Sequence, residues 1–170
     1  MNCRISKKKV KIFLDLGKMP IANGFIRKKD FKKEYFFFLK VAYSKSLSLV
    51  QIVSNPPPKK MFNKNYPFYT SSSKYMIKHF KKYAEWIKKN YLKKEGNLLE
   101  LGSNDGTFLE NFKGYYKIGF EPSASVHKLA KSKNINSINK FFNFKNIQSY
   151  LKRKIKFDVI VGSNVICHIP

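Results

Sequence analysis

Seven consecutive residues, Glu100-Leu101-Gly102-Ser103-Asn104-Asp105-Gly106, put two carboxylates, an amide and two glycines into one short stretch. Glu121 follows about twenty residues after the loop begins. Carboxylates accept hydrogen bonds from hydroxyls and attract cations, while glycine lets the backbone turn tightly and approach a ligand. The spacing excludes two common ligands. A dinucleotide loop of the G-x-G-x-x-G type needs glycine where Asn104 stands, and a phosphate-binding P-loop needs a following Gly-Lys-Ser/Thr. The chain has only ten acidic residues, and Glu100, Asp105 and Glu121 are expected to meet at one site despite that scarcity.

The surrounding pattern supplies elements to position them. NLLELG (97–102) reads as a short buried strand and DGTFLENF (105–112) as the opening of a helix. YYKIGFE (115–121) is a second strand ending in Glu121, and SASVHKLAKSKN (123–134) a second helix. INSI (135–138) is a weak third strand, FKNIQSYLKRK (144–154) is helical, and FDVIVGSNVI (157–166) is a strong fourth strand. Strand and helix alternating in this way predict an α/β fold with a parallel sheet. Such sheets bind ligands beyond the carboxyl ends of their strands, where the glycine loop and Glu121 both fall. Glu121 is placed to accept two ribose hydroxyls, in charge-assisted bonds contributing roughly 1.5–3 kcal/mol each. Read singly, Asn-Asp-Gly is also a common turn tripeptide and a strand-ending acid an exposed cap. Their joint order selects ligand binding, and an acidic floor without a phosphate motif suits a cationic nucleoside, S-adenosylmethionine (SAM).

Upstream, KVKIFLDL (9–16), YFFFLKVAY (35–43) and SLSLVQIV (46–53) read as strands of a small, mainly β lobe. Asn55-Pro56-Pro57-Pro58 breaks the chain, and a tyrosine- and serine-rich loop, NYPFYTSSS (65–73), leads into a helix over 74–92. In that helix Met76, Ile77, Phe80, Tyr83, Ala84, Ile87 and Tyr91 recur at helical spacing, with lysines opposite. The expected division is a lobe at 1–60, a loop and linking helix at 61–95, and half of a ligand-binding domain at 96–170.

A formal charge of +25 first points to nucleic acid. Arginine, the residue of bidentate phosphate and base recognition, occurs only at Arg4, Arg27 and Arg153. The charge is therefore read as a solvated lysine coat that attracts anionic substrates, with no specific nucleic-acid partner. No segment has the length of a membrane span or the apolar core of a signal peptide, so a cytoplasmic protein without a membrane partner is expected.

Taken together, Glu100 to Gly106 and Gly119-Phe120-Glu121-Pro122 resemble the cofactor motifs of class I SAM-dependent methyltransferases. FLDLGKMPIANGFI (13–26), LVQI (49–52), YPFYTSSSKYMIKH (66–79) and SNVICHIP (163–170) resemble, in order, segments of the sugar C-methyltransferases that act on nucleotide-linked keto-deoxyhexoses. The resemblance implies that Gly102, Asn104, Asp105 and Gly106 wrap the methionine part of SAM, with Glu100 and Asn164 also at the cofactor. Glu121 would hold the ribose, and Phe141 or Phe142 would border the adenine, the alternative for both phenylalanines being core packing. Tyr66 and His168 would face the sugar as the catalytic pair, His168 as base or polarising group; a packed loop aromatic is the alternative for Tyr66. His79 and His127 are read as structural or surface residues.

Two departures from the resembling family qualify this. Its N-terminal lobe carries two CxxC pairs, but here only Cys3 stands at a ligand position, the others being Ser6, Ser44 and Leu47. A tetrahedral site needs four ligands, so no zinc is expected, and the lobe is expected to cohere through Leu14, Phe25, Phe37, Leu39, Leu49 and Ile52. The class I sheet has seven strands ordered 3-2-1-4-5-7-6, of which this chain is expected to supply the first four. A complementing C-terminal polypeptide, or self-association through the apolar fourth strand, is therefore expected. The function implied is C-methylation of a nucleotide-linked keto-deoxysugar when the domain is complete. The alternatives are a SAM-binding remnant without turnover and a lysine-rich interaction module.

Overall fold

The computed structural model describes the chain except for Asn23, Lys93 and residues 167–170. It divides into two compact units, Met1–Met61 and Phe62–Pro170. The His168 assignment lies outside the described residues.

The first unit is a three-stranded antiparallel sheet in the order β1 (Lys11–Pro20), β2 (Phe36–Ser44), β3 (Leu49–Ile52). Asp15 and Lys40 face each other across β1 and β2 and form an ion pair at 2.7 Å. A single helical turn, α1 (Pro58–Met61), ends the unit. The expected apolar core is not formed. Leu14, Phe25 and Ile52 are exposed, Phe25 at 78%, and Phe37, Leu39 and Leu49 are only half-buried. A lone three-stranded sheet has no second layer within the unit to cover either face. Among its described residues only Cys3, Ala42, Ser44 and Pro56 are buried.

In the second unit, Ser73 caps α2 (Lys74–Ile87) by accepting the Met76 N–H at 3.3 Å. Phe80, Ala84 and Ile87 form its buried stripe, and a π-helical turn, Lys88–Leu92, ends it. Then come β4 (Asn97–Leu101), β5 (Tyr116–Phe120), α3 (Ala124–Ser132), β6 (Ser137–Ile138), α4 (Phe144–Lys152) and β7 (Val159–Val161). The sheet order is β6-β5-β4-β7 with every pairing parallel. This is the expected α/β arrangement, a partial Rossmann-like sheet.

Strand periodicity divides the core between the two sheet faces. Leu98 joins Phe80, Ala84, Ile87, Phe108, Phe112 and Ala130 on the α2 and α3 side. Leu99, Leu101, Ile118 and Phe120 join Ile147 of α4 on the other.

Two element expectations are corrected. DGTFLENF forms turns and a short 3-10 segment, Leu109–Asn111, and no α-helix. Gly106 is left-handed at φ +76°, and the Asn111 side chain donates to the Thr107 and Phe108 carbonyls that a continuing helix would use. The fourth strand is three residues long, because the chain bends after Val161 and turns left-handed at Asn164.

Phe108 is the centre of the larger cluster, with ring centroids 5.5 Å from Phe80, 5.4 Å from Tyr83 and 5.0 Å from Phe112. Phe108→Ala is expected to cost about 3–5 kcal/mol, read by urea unfolding followed by far-ultraviolet circular dichroism. A loss below about 1 kcal/mol would show that this cluster does not hold the unit together.

Candidate functional site

The polypeptide leaves β4 and reverses through alternating left-handed residues: Gly102 at φ +65°, Asn104 at +49° and Gly106 at +76°. Glycine and asparagine are the residues that take this conformation most readily. The Ser103 N–H donates to the Phe120 carbonyl at 3.0 Å, which pins the start of the loop to the end of β5.

Glu121, the next residue of β5's exit, completes the tie. Its Oε2 accepts the Asn104 N–H at 3.0 Å and its Oε1 accepts the Ser123 N–H at 2.7 Å. The Asn139 amide donates to the Glu121 and Pro122 carbonyls at 2.9 and 3.0 Å, fixing the same turn from the other side. One carboxylate therefore binds the loops after β4 and β5 to each other. Burial pushes its pKa up, the hydrogen bonds from Ser123 and Asn104 oppose that, and the Asp105 charge adds to it; the net shift is upward.

Asn104 and Asp105 turn their side chains toward the tyrosine–serine loop. Asn104 Oδ1 accepts from the Thr70 N–H at 2.9 Å and the Thr70 hydroxyl at 3.1 Å, and its amide donates to the Phe68 carbonyl at 3.0 Å. Asp105 accepts the Ser71 N–H at 2.8 Å, the Thr107 N–H at 3.2 Å and the Thr107 hydroxyl at 2.6 Å. Burial raises the Asp105 pKa, but bonds from Ser71 and Thr107 and the nearby Lys133 charge outweigh it, so this acid stays ionised. The loop at 68–71 is strapped to the glycine loop by these two side chains. Sequence reasoning did not find Thr70 and Ser71 as partners, and their only signal was the Tyr-Thr-Ser-Ser-Ser run itself.

Glu100 is different. It is 3% exposed, and its Oε2 has no hydrogen-bond partner among the described residues. Burial, then the charges of Glu121 and Asp105, push its pKa well above the ordinary carboxylate value. A buried acceptor without a donor costs about 1–3 kcal/mol. Glu100, Asp105 and Glu121 thus form one buried acidic group, within which Glu100 Oε2 has no partner among the described residues.

Tyr66 is half-buried, with its ring 5.6 Å from Phe62 and 6.0 Å from Phe68, and Phe62 meets Phe141 edge-on at 6.2 Å. Burial, then the Glu121 charge, raise the Tyr66 pKa. The phenol therefore keeps its proton at neutral pH. Of the two candidate phenylalanines, Phe141 joins this aromatic row, whereas Phe142 packs edge-on against core Phe120 at 5.4 Å. Asn164 is exposed in the bend after β7. Its neighbour Val165 sits so near Gly102 that a Cβ there would lie 2.7 Å from Val165 Cγ2. His127 shares a hydrogen bond with Ser137 at 3.0 Å, and His79 is an exposed residue of α2 lying against Phe80 and Tyr83. The broad groove at Tyr91, Gly96, Tyr116 and Asp158 lies at the amino ends of β4 and β5, opposite the end where parallel sheets bind ligands.

The Glu100 carboxyl gives a pH-dependent prediction. Its folded pKa lies above its unfolded one, so its contribution to stability is present below the ordinary carboxylate range and is lost as pH rises toward the folded value. Glu100→Gln removes that loss. The variant is expected to gain stability over the wild type as pH is raised from about 5 to about 8, measured by urea unfolding at both. A constant difference would show that Glu100 does not carry a proton in the folded protein.

The family model described as "Methyltransferase domain" matches residues 75–170, a span that contains the glycine loop, Glu121 and the whole parallel sheet. A second model, described as "Putative zinc binding domain", matches residues 3–62. No curated protein gives a significant match. No helix among the described residues is long and apolar enough to cross a membrane. Because the first match spans more than half of the 170 residues, the chain belongs to the methyltransferase-domain family.

Proposed function

We propose that the loop after β4 binds SAM and that the bound cofactor serves C-methylation of a nucleotide-linked keto-deoxysugar. A methyltransferase domain implies SAM. The observation that carries the reading is the buried acidic group, and within it the Glu100 oxygen without a donor. That arrangement suits a ligand bearing positive charge and disfavours one bearing phosphates next to the loop. Glu100 and the loop at Gly102 would hold the methionine part and Glu121 the ribose. Glu121 keeps acceptor capacity after its two backbone bonds, since a carboxylate has about four lone-pair sites. Phe141 is better placed than Phe142 to border an adenine, because Phe142 is engaged with the core.

When bound, SAM supplies a methyl group on a positively charged sulfur. The protein's part is to align the acceptor carbon and to take a proton from it. Tyr66, as a protonated phenol beside the acids, would donate to the sugar's carbonyl oxygen and stabilise the enolate left by deprotonation. An imidazole has the pKa suited to that deprotonation, which is why His168 is proposed as the base. The lysine-rich surface would draw the substrate's diphosphate in a salt-dependent way. Among the described residues the sheet's outer strand β7 pairs with β4 alone, and Ile160 on it is 60% exposed. A further polypeptide that completes the sheet would join there.

Calorimetric titration with SAM tests the cofactor reading. Wild type is expected to bind, and Glu121→Ala to weaken binding by roughly 10- to 150-fold, the equivalent of about 1.5–3 kcal/mol. Undiminished binding by Glu121→Ala, or no binding by wild type, would remove this site. Transfer of labelled methyl from SAM to a nucleotide-linked keto-deoxysugar then separates turnover from binding alone.

A further inference from the structure

A zinc ion is implied for the first unit by the family match over residues 3–62. The side chains present do not fit it. Protein zinc is held by thiolate, imidazole or carboxylate, and among the described residues no three His, Cys, Asp or Glu come together to hold a metal. What comes together is one thiol and three hydroxyls. Ser46 Oγ donates to Ser6 Oγ at 3.1 Å and lies 3.3 Å from Ser44 Oγ, and the Ser6 and Ser44 hydroxyls act on the Cys3 thiol beside them. These neighbours, the Ser6 side chain first, hold the Cys3 thiol down to about 7 against the opposing effect of its burial.

The backbone around the cluster is built as two tight turns, closed by different bonds but alike in where their left-handed residues fall. In the first, the Lys7 N–H donates to the Cys3 carbonyl at 3.0 Å and the Cys3 N–H to the Lys8 carbonyl at 2.7 Å. In the second, the Leu47 N–H donates to the Ser44 carbonyl at 3.3 Å, between β2 and β3. Each turn has a cluster residue first, a matching position three residues on, and a left-handed residue directly after: Cys3, Ser6, Lys7 at φ 59°, and Ser44, Leu47, Ser48 at φ 49°. Neither left-handed residue is glycine, so both conformations cost free energy that the surroundings must offset. The pair of x-x spacings is the one by which two turns present four side chains to a single ion. The cluster reaches from the unit's interior to its surface, with Ser6 half-buried and Ser46 exposed. Cys3 and Ser44 are two of the unit's four buried described residues, and its sheet has no apolar core. A unit of this size without a core needs a staple of some kind.

We infer that the Cys3–Ser6–Ser44–Ser46 cluster is a converted metal site: the two turns keep the geometry of a four-ligand centre, and hydrogen bonds among three hydroxyls beside a thiol do the joining without an ion. The structure departs from the sequence expectation at one place, since Ser46 supplies the fourth member, its third hydroxyl, while Leu47 is 43% exposed.

The test is to restore the ligands in the full chain with the S6C/S44C/L47C variant. Wild type purified from zinc-supplemented medium is expected to carry no zinc by elemental analysis. The variant is expected to carry one per chain and to show thiolate-to-cobalt charge-transfer absorption when cobalt(II) replaces zinc. Stoichiometric zinc in wild type, or failure of the variant to bind cobalt, would overturn the inference. If the triple variant does not fold, S6C/S44C, with three thiolates, is titrated with cobalt and read in the same way. Separately, Ser46→Ala should accelerate amide hydrogen exchange at Cys3 and Lys7, and chelator should leave wild-type exchange unchanged. Equal exchange in Ser46→Ala and wild type would show that the hydroxyls do not join the two turns.

Discussion

Two backbone N–H groups donated to one carboxylate organise the second unit. Glu121 receives the Asn104 N–H from the loop after β4 and the Ser123 N–H from the turn into α3. Without that tie, the two loops that a parallel sheet offers to a ligand would be positioned only by the strands behind them. With it, the left-handed residues at Gly102, Asn104 and Gly106 are held in one arrangement, and the side chains of Asn104 and Asp105 can in turn hold Phe68, Thr70 and Ser71. The order of dependence runs from β5's terminal acid to the glycine loop and from there to the tyrosine–serine loop.

The same arrangement has an electrostatic cost. Three acids share one buried region, and each responds differently. Asp105 has donors enough to remain ionised, Glu121 has two and is shifted upward, and Glu100 lacks a donor to Oε2 and is shifted furthest from the charged form. Groups pushed apart in this way are characteristic of functional sites. A positive charge placed among them would relieve that repulsion, which is the electrostatic basis of the proposed cofactor site.

Much of the second unit was legible in the sequence because its signals are local. The apolar runs at Leu98–Leu101 and Ile118–Phe120 and the helical spacing of Phe80, Ala84 and Ile87 each report burial within a few residues. The turn at 105–112 was not legible as such. Its apolar residues have helical spacing, but the Asp105 and Asn111 side chains take over backbone partners. The roles of Asn104 and Asp105 were equally out of reach, since their partners lie 34 residues away in a loop with no periodicity. In the first unit, strand-like sequence was correctly suggestive of strands. It misled about cohesion, because alternation shows which residues could be covered and not whether a covering layer exists.

The distance along the chain between the two serine-bearing turns has a kinetic meaning. The Ser46–Ser6 bond joins residues 40 apart, while the first turn by itself is closed by short-range bonds within Met1–Val10. Closing a loop of that length costs chain entropy before any contact repays it. The first turn can close on its own, but its link to Ser46 requires the β2–β3 connection to be in place. The bonds within the first turn are thus the cheap ones to form, and the bond to Ser46 is the one that carries the entropy of ordering the chain across that 40-residue separation.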